Sequence, residues 1–418
     1  MDALKPLKTI ARKARDLRAR HQERHRPSGF GFALADSIDY LDAGAWQAVT
    51  AGGSVFLSAP YLRALEAAGP SNLHPRYALI FRGPQPVAAV AAQVVRVVPA
   101  QVPRSPSRRA AAASLDALEQ SILVCGNVLS WGFHGVAFAA GEDAAALWPA
   151  VADALYRIRR ADRLFGQSGL ILVKDLPPEL VASSAALSRF SYRPMDTEPN
   201  MVLDLDPSWR SLDDYLASLT TQYRRKARKI GQDVAAAGCS VEPLEDVEGE
   251  AAVLHGLYLQ VHQQQRLRLV TLRPEFLPAL AAAFGDTFRC TVIRREGQIL
   301  GFVTTLRDGD TAVGYYIGFD RDANATVPLY FRLLQAVVED ALRLGCTRVS
   351  LGRTALEPKA RLGARPVPLQ VWLRHRIPAI NLVVRNLLQA VPHDEAPERN
   401  PFKGTRRGPA GEESADDR

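Results

Sequence analysis

No window of this 418-residue chain holds the ~20 uninterrupted apolar residues that a membrane-spanning helix requires. The best run, residues 86–100, is broken by Gln93 and Arg96, so no integral membrane segment is expected. The N-terminus carries charge where a secretory signal would carry an apolar core, which makes the cytosol the expected location. Cysteine is scarce. Cys125, Cys239, Cys290 and Cys346 lie 114, 51 and 56 positions apart, a spacing that suits neither a zinc knuckle nor a disulfide framework, and they are expected as reduced, mostly buried thiols. There is no Gly-x-Ser-x-Gly elbow, and Gly29-Phe30-Gly31 follows no strand and so is no dinucleotide fingerprint. The histidines of His21-Gln22-Glu23-Arg24-His25 lack the glutamate placement of a zinc protease motif.

What is present describes a globular chain too long for one core: 47% apolar, 23% charged, with two domains as the starting expectation. The formal charge of +8 is concentrated at one end. Residues 1–28 hold nine Lys and Arg against three acids, a net of +6, and leave the remaining 390 residues at +2. That segment is expected to be partly helical or disordered, with only a thin apolar stripe, and suited to an RNA or an anionic membrane surface at the inner face of the membrane. Residues 393–418, rich in Pro, Gly, Glu and Asp, are expected as a disordered tail.

Between these ends one order of elements occurs twice. Residues 77–82 and 87–95 read as a hairpin around Gly83-Pro84-Gln85-Pro86. An extended stretch at 121–139, a helix near 142–160 and a strand at 169–173 follow. In the second half, strands at 288–293, 298–306 and 311–319 are separated by Glu296-Gly297 and Asp308-Gly309. A helix is then expected over about 327–344, capped by Thr326, with Pro328 in its first turn and Gly345 past its end. A strand at 348–351 closes the unit. The boundary falls near 204–211, giving 29–205 and 206–392 as the two domains.

Three segments can carry chemistry. Residues 211–231 read as one helix with a Ser211/Asp214 capping box and a basic face of Arg224, Arg225, Arg228 and Lys229, with Lys226 beside it, which suits phosphates or tRNA, or is a solvated helix face. The strand-to-helix junction around Gly314-Tyr315-Tyr316-Ile317-Gly318-Phe319-Asp320 offers free helix N–H groups to an anion, with Asp322-Ala323-Asn324-Ala325 where a glycine-rich loop would stand. Period-two alternation puts Tyr315 in the core and Tyr316 on a face with Gly314 and Gly318, where a ligand can approach. Past the last strand, Gly352, Arg353, Lys359 and Arg361 lie where open α/β sheets bind ligands and are available to a carboxylate or phosphate. Asn127 and His134, in the glycine-flanked stretch 125–135, are further candidates, with a hydrogen-bonded structural role for His134 as the alternative.

The tandem units, the helix ending in Arg-Arg-Lys-x-Arg-Lys, Leu329-Tyr330-Phe331-Arg332-Leu333-Leu334, Gly345-Cys346-Thr347-Arg348-Val349-Ser350-Leu351-Gly352-Arg353 and Lys359-Ala360-Arg361-Leu362-Gly363-Ala364 resemble the GNAT superfamily of acyltransferases. Within it the chain is most similar to the branch of Fem-type aminoacyltransferases and their acetyltransferase-like bacterial relatives. The resemblance implies an α/β (α+β) fold of two tandem GNAT-like domains, each a mostly antiparallel mixed sheet with a crossover helix. It also implies transfer of an acyl or aminoacyl group from acyl-CoA or aminoacyl-tRNA to a small-molecule or cell-envelope amine, in a cleft between splayed strands. Residues 321–327 depart from the Arg/Gln-x-x-Gly-x-Gly/Ala loop of ordinary GNAT acetyltransferases, a loop that the Fem-type branch also lacks. For the chemistry, Tyr316 or Tyr330 stands as proton donor and Glu357 or Asp320 as base, with Asn324, Gly352, Arg353, Lys359 and Arg361 as donor and substrate contacts and no metal. The competing reading is a duplicated fold that has lost catalysis and serves as a binding or scaffolding protein at an anionic surface.

Overall fold

A computed structural model of the chain describes residues 29–97, 120–162, 168–265, 268–382, 397 and 399–404. In chain order these form β1 (Gly31–Ala35), α1 (Ala43–Thr50), α2 (Ala59–Ala68), β2 (Leu73–Arg82), β3 (Gln85–Val97), β4 (Gln120–Cys125), β5 (Val136–Phe138), α3 (Ala144–Ala161), β6 (Leu170–Leu176) and β7 (Arg193–Asp204). Then follow α4 (Leu212–Ser218), α5 (Thr221–Ala236), β8 (Cys239–Pro243), α6 (Ala251–His262), α7 (Phe276–Phe284), β9 (Phe288–Arg295), β10 (Gln298–Asp308) and β11 (Thr311–Phe319). The last elements are α8 (Arg321–Thr326), α9 (Leu329–Arg343), β12 (Arg348–Ser350), α10 (Leu356–Arg361) and β13 (Arg365–His375).

Two compact units divide these elements. Among the described residues, the first takes those within 29–200, 246–288 and 367–382, and the second those within 201–245, 289–366 and 397–404. The division near residue 200 lies close to the boundary expected from sequence, and α6 and α7 join the first unit although they follow that boundary in the chain. The basic segment 1–28 lies outside the described residues.

In the first unit the strand order is β1-β2-β3-β4-β6-β13, with β5 on β3. β1 to β4 pair antiparallel and β4 pairs parallel with β6. The run from Val87 to Val95 is buried almost without interruption because α1 packs on β3 from one side and α3 from the other, so an alternating pattern would leave half the strand mismatched. Asp143 caps α3 by accepting from Ala145 N–H at 2.9 Å. Its stripe of Leu147, Trp148, Val151, Leu155 and Ile158 is at most 2% exposed, and each such side chain contributes about 1.5–3 kcal/mol on burial.

In the second unit the order is β8-β9-β10-β11-β12, continuing to residues 202–204 of β7. The meander is antiparallel through β11, and β12 returns parallel to β11. Crossover helix α9 buries Leu333, Leu334, Val337, Val338 and Ala341 over β10 and β11. Gly345, at φ +67, ends it in a Schellman motif: its N–H donates to Leu342 O, and Cys346 N–H donates to Ala341 O.

Two expectations need correction. The helix expected over 327–344 is α9, but Thr326 does not cap it: Thr326 ends the separate short helix α8, which Asp320 caps, and donates its hydroxyl to Ala323 O, and Pro328 precedes α9. The 211–231 helix breaks. Its Ser211/Asp214 capping box is present, but the chain turns at Leu219, and Thr220 N–H donates to Pro401 O at 2.8 Å. All four cysteines are buried and unpaired. No helix among the described residues is long and apolar enough to cross a membrane.

Candidate active site

β11 and β12 pair only through Thr311, Ala312 and Val313 against Arg348, Val349 and Ser350. β12 then stops while β11 runs on to Phe319, so the strands part and leave an edge of β11 that β12 does not cover. On its other edge β11 carries a bulge. Gly314 lies opposite Thr305 and Ile317 opposite Val303, so Tyr315 and Tyr316 together face the single residue Thr304. Tyr316 N–H donates to Thr304 Oγ1 at 3.0 Å, and Asp320 N–H donates to Leu300 O at 2.8 Å. Both point at β10, which turns the intervening N–H groups of Ile317 and Phe319 toward the edge that β12 leaves open.

The bulge also overturns the expected facing of the tyrosines. A regular strand sends neighbours to opposite faces. Here the rings of Tyr315 and Tyr316 are 4.6 Å apart at 65°, so both lie on one side, Tyr315 at 4% exposure and Tyr316 half-buried. Gly314 opens toward α9 instead of a ligand, since a Cβ there would stand 2.9 Å from Val337 Cγ1.

Past β12, Gly352 turns the chain at φ +79 and accepts Met201 N–H at 3.1 Å, and α10 opens at Ala355, itself left-handed at φ +52. Arg353 lies half-buried on this turn. Leu356 and Ala360 set α10 into the core, and Lys359 goes in with them at 5% exposure. No hydrogen bond or ion pair reaches its ammonium group among the described residues, and burial pushes its pKa down to about 7.

The two carboxylates expected as base are engaged. Glu357 accepts from Arg361 Nε at 2.9 Å and from an Arg399 guanidinium nitrogen at 3.2 Å, which hold its carboxyl below the usual range. Asp320 Oδ1 accepts Ala323 N–H at 2.8 Å as the cap of α8. Asn324 Oδ1 accepts Tyr330 N–H at 2.9 Å and so takes one of the free donors of α9 that had been expected to cradle an anion. Tyr330 packs between Phe319 and Phe331, and burial pushes its hydroxyl up to about 12.

Beside α10 lies a groove of about 620 Å³, walled by α5, α9 and α10. Lys226 and Lys229 face it; Arg224, Arg225 and Arg228 do not line it, so the basic face expected as a unit is split between groove and exterior. Arg361, Glu357 and Arg399 complete the rim.

Asn127 and His134 belong to the first unit, inside a bonded loop. Asn127 donates to Tyr61 Oη at 2.7 Å and accepts from Gln93 and from Leu129 N–H. His134 Nε2 donates to Trp131 O at 2.8 Å, and its Nδ1 shares a hydrogen bond of 2.7 Å with the Ser54 hydroxyl.

Sequence reasoning missed the C-terminal contribution. Residues 399–404, expected within a disordered tail, are ordered against the second unit. Phe402 stacks on Trp209 with ring centroids 5.7 Å apart and lies against Gly363, where a Cβ would approach its ring to 2.2 Å. Arg399 then reaches Glu357. An isolated Pro401-Phe402 in a polar stretch was the available signal.

The geometry agrees with what comparison finds. Residues 217–360 match the family model described as an acetyltransferase (GNAT) domain. A comparison with curated protein sequences finds no match. Among solved structures, FemX superposes with a TM-score of 0.54 at 10% identity, over 85% of this chain and 100% of that one. A tandem GNAT protein from the clavulanic acid biosynthesis pathway does so with a TM-score of 0.50 at 14% identity, over 84% and 99%. At such identities the likeness is one of fold. Antiparallel meander, bulged strand, crossover helix and parted parallel strand thus coincide with the matched residues: 217–360 are similar to a GNAT acetyltransferase domain, on a fold that the chain shares with FemX and with the tandem GNAT protein.

Proposed function

We propose that the second unit catalyses N-acyl transfer, with Lys359 as the base that takes the proton of the incoming amine. The observation that carries this reading is a buried amine with no neutralising partner among the described residues, poised near pH 7. The acyl donor lies along the open edge of β11 with its carbonyl oxygen toward the N–H groups of Ile317 and Phe319, which stabilise the charge that develops there. The amine nitrogen attacks the carbonyl carbon, and the tetrahedral intermediate collapses by breaking the bond to the leaving sulfur or oxygen. One amine proton passes to Lys359 Nζ, and the leaving atom takes the proton of the Tyr316 hydroxyl. Arg353 stands on the turn beyond β12 for an anionic part of either substrate. The donor proposed is an acyl-CoA thioester, with aminoacyl-tRNA as the alternative.

Purified protein incubated with acyl-CoA and a panel of amines, with released thiol as readout, tests this. Amine-dependent release is expected, with kcat/KM rising through pH 7 as Lys359 loses its proton. The same preparation melted in the presence of CoA thioesters or charged tRNA identifies the donor by the rise in melting temperature. Equal rates for the wild type and Lys359→Ala would sink the assignment.

A further inference from the structure

The groove beside α10 has a lining that the transfer chemistry does not use. Its floor is apolar, built from Tyr223, Ala227 and Ile230 of α5, Phe331 and Leu334 of α9, and Leu362. Its rim carries Lys226, Lys229, Arg361 and Arg399 against two carboxylates, both already engaged: Asp233 accepts from Lys229 at 2.8 Å, and Glu357 is shared by Arg361 and Arg399. Lys226 forms no ion pair among the described residues, so the mouth keeps a surplus of positive charge over an apolar trough. At about 620 Å³ the groove falls in the range of small-molecule sites, roughly 300–1,000 Å³. A wholly polar ligand would gain nothing from the floor, and a neutral alkyl chain nothing from the rim.

We propose that this groove binds a single-chain amphiphilic anion, an apolar chain ending in a carboxylate or phosphate. The inference goes beyond the acyl-transfer reading and assigns a ligand to a groove that the transfer chemistry leaves unused. Helix α10 links the two, because Pro358, Arg361 and Leu362 line the groove while Lys359, on the same helix, is buried in the core.

Calorimetry with decanoate, decyl phosphate, decanol and inorganic phosphate, each below any micelle-forming concentration, tests it. One-to-one binding of decanoate or decyl phosphate is expected, with the better of the two identifying the head group. Decanol should bind about tenfold more weakly and inorganic phosphate not measurably. Ala227→Trp, which fills the trough, should weaken both anions about tenfold or more, and Lys226→Glu, on an exposed side chain, should weaken the anions while sparing decanol. Decanol binding as tightly as decanoate, or unchanged affinity in Lys226→Glu, overturns the proposal even if Ala227→Trp does not fold. The two readings fail separately: Lys359→Ala should still bind decanoate, so binding with unimpaired transfer in that variant removes the base assignment and leaves the groove. Transfer without anion binding does the reverse.

Discussion

The two units run the same order of strands and yet differ at the point where each crossover helix returns the chain to a parallel strand. In the first, β4 pairs with β6 as far as its last residue, Cys125 against Val173, and residues 126–135 close over that end. The loop is tied by polar bonds. Asn127 joins Tyr61, Gln93 and Leu129, His134 joins Ser54 to Trp131, and Lys174 spans Ser130 O and the fully buried Asp175, whose carboxylate also accepts Gly132 N–H. In the second, β11 outruns its pairing with β12, and the residue buried beyond the parted strands is a lysine with no partner among the described residues. Satisfied polar groups stabilise and rigidify; a lysine desolvated without a neutralising partner costs stability and is available for chemistry. One architecture therefore serves as a scaffold in one copy and a candidate reaction site in the other.

The largest test of this contrast is Lys359→Ala, expected to lower kcat/KM by about 10²- to 10⁴-fold, and to remove its rise near pH 7, with the fold intact. A stability measurement on Lys359→Met sharpens the same point. The folded-state pKa lies below that of the unfolded chain, so between about pH 7 and the ordinary lysine range the unfolded chain binds more protons and wild-type stability rises with pH. Lys359→Met should melt higher than wild type, with the gap widest at pH 7 and below and narrowing in alkali. A gap independent of pH would show that the amine is not desolvated. In the first unit the mirror experiment is Asn127→Ala, which removes the hydrogen bonds of Asn127 with the Tyr61 hydroxyl, the Gln93 amide and Leu129 N–H. Urea denaturation should register about 1–3 kcal/mol of lost stability, without a change in the pH profile of transfer. Transfer that depends on Asn127 as strongly as on Lys359 would break the comparison. The smallest effect belongs to Arg399→Ala. Its ion pair with Glu357 is exposed, so the loss should stay below about 1 kcal/mol by denaturant titration.

Much of the fold was legible because local patterns and tertiary structure agree. The Val87 to Val95 run, the Asp308-Gly309 turn and the Gly345 helix end each specify their conformation through nearby residues, and all three appear where expected. What failed did so for reasons outside the local window. The bulge at Tyr315-Tyr316 arises from a mismatch of register with β10, which no alternation pattern in β11 can reveal. The break at Leu219 and Thr220 depends on a bond to Pro401. Asp320 and Asn324, chemically plausible as base and anion contact, are occupied by the helix starts they organise.

By itself the sequence determined the duplicated order of strands and helices, the buried cysteines, the capping box at Ser211 and the presence of Lys359 shortly after the last crossover. Period, turn chemistry and capping act over a few residues and are written in them. Only the tertiary structure decided which of the basic side chains face the groove, which carboxylates are already paired, and that Lys359 is buried without a partner among the described residues. Burial and pairing belong to the neighbours a side chain meets, and those neighbours come from α5, α9 and residue 399, far apart in the chain.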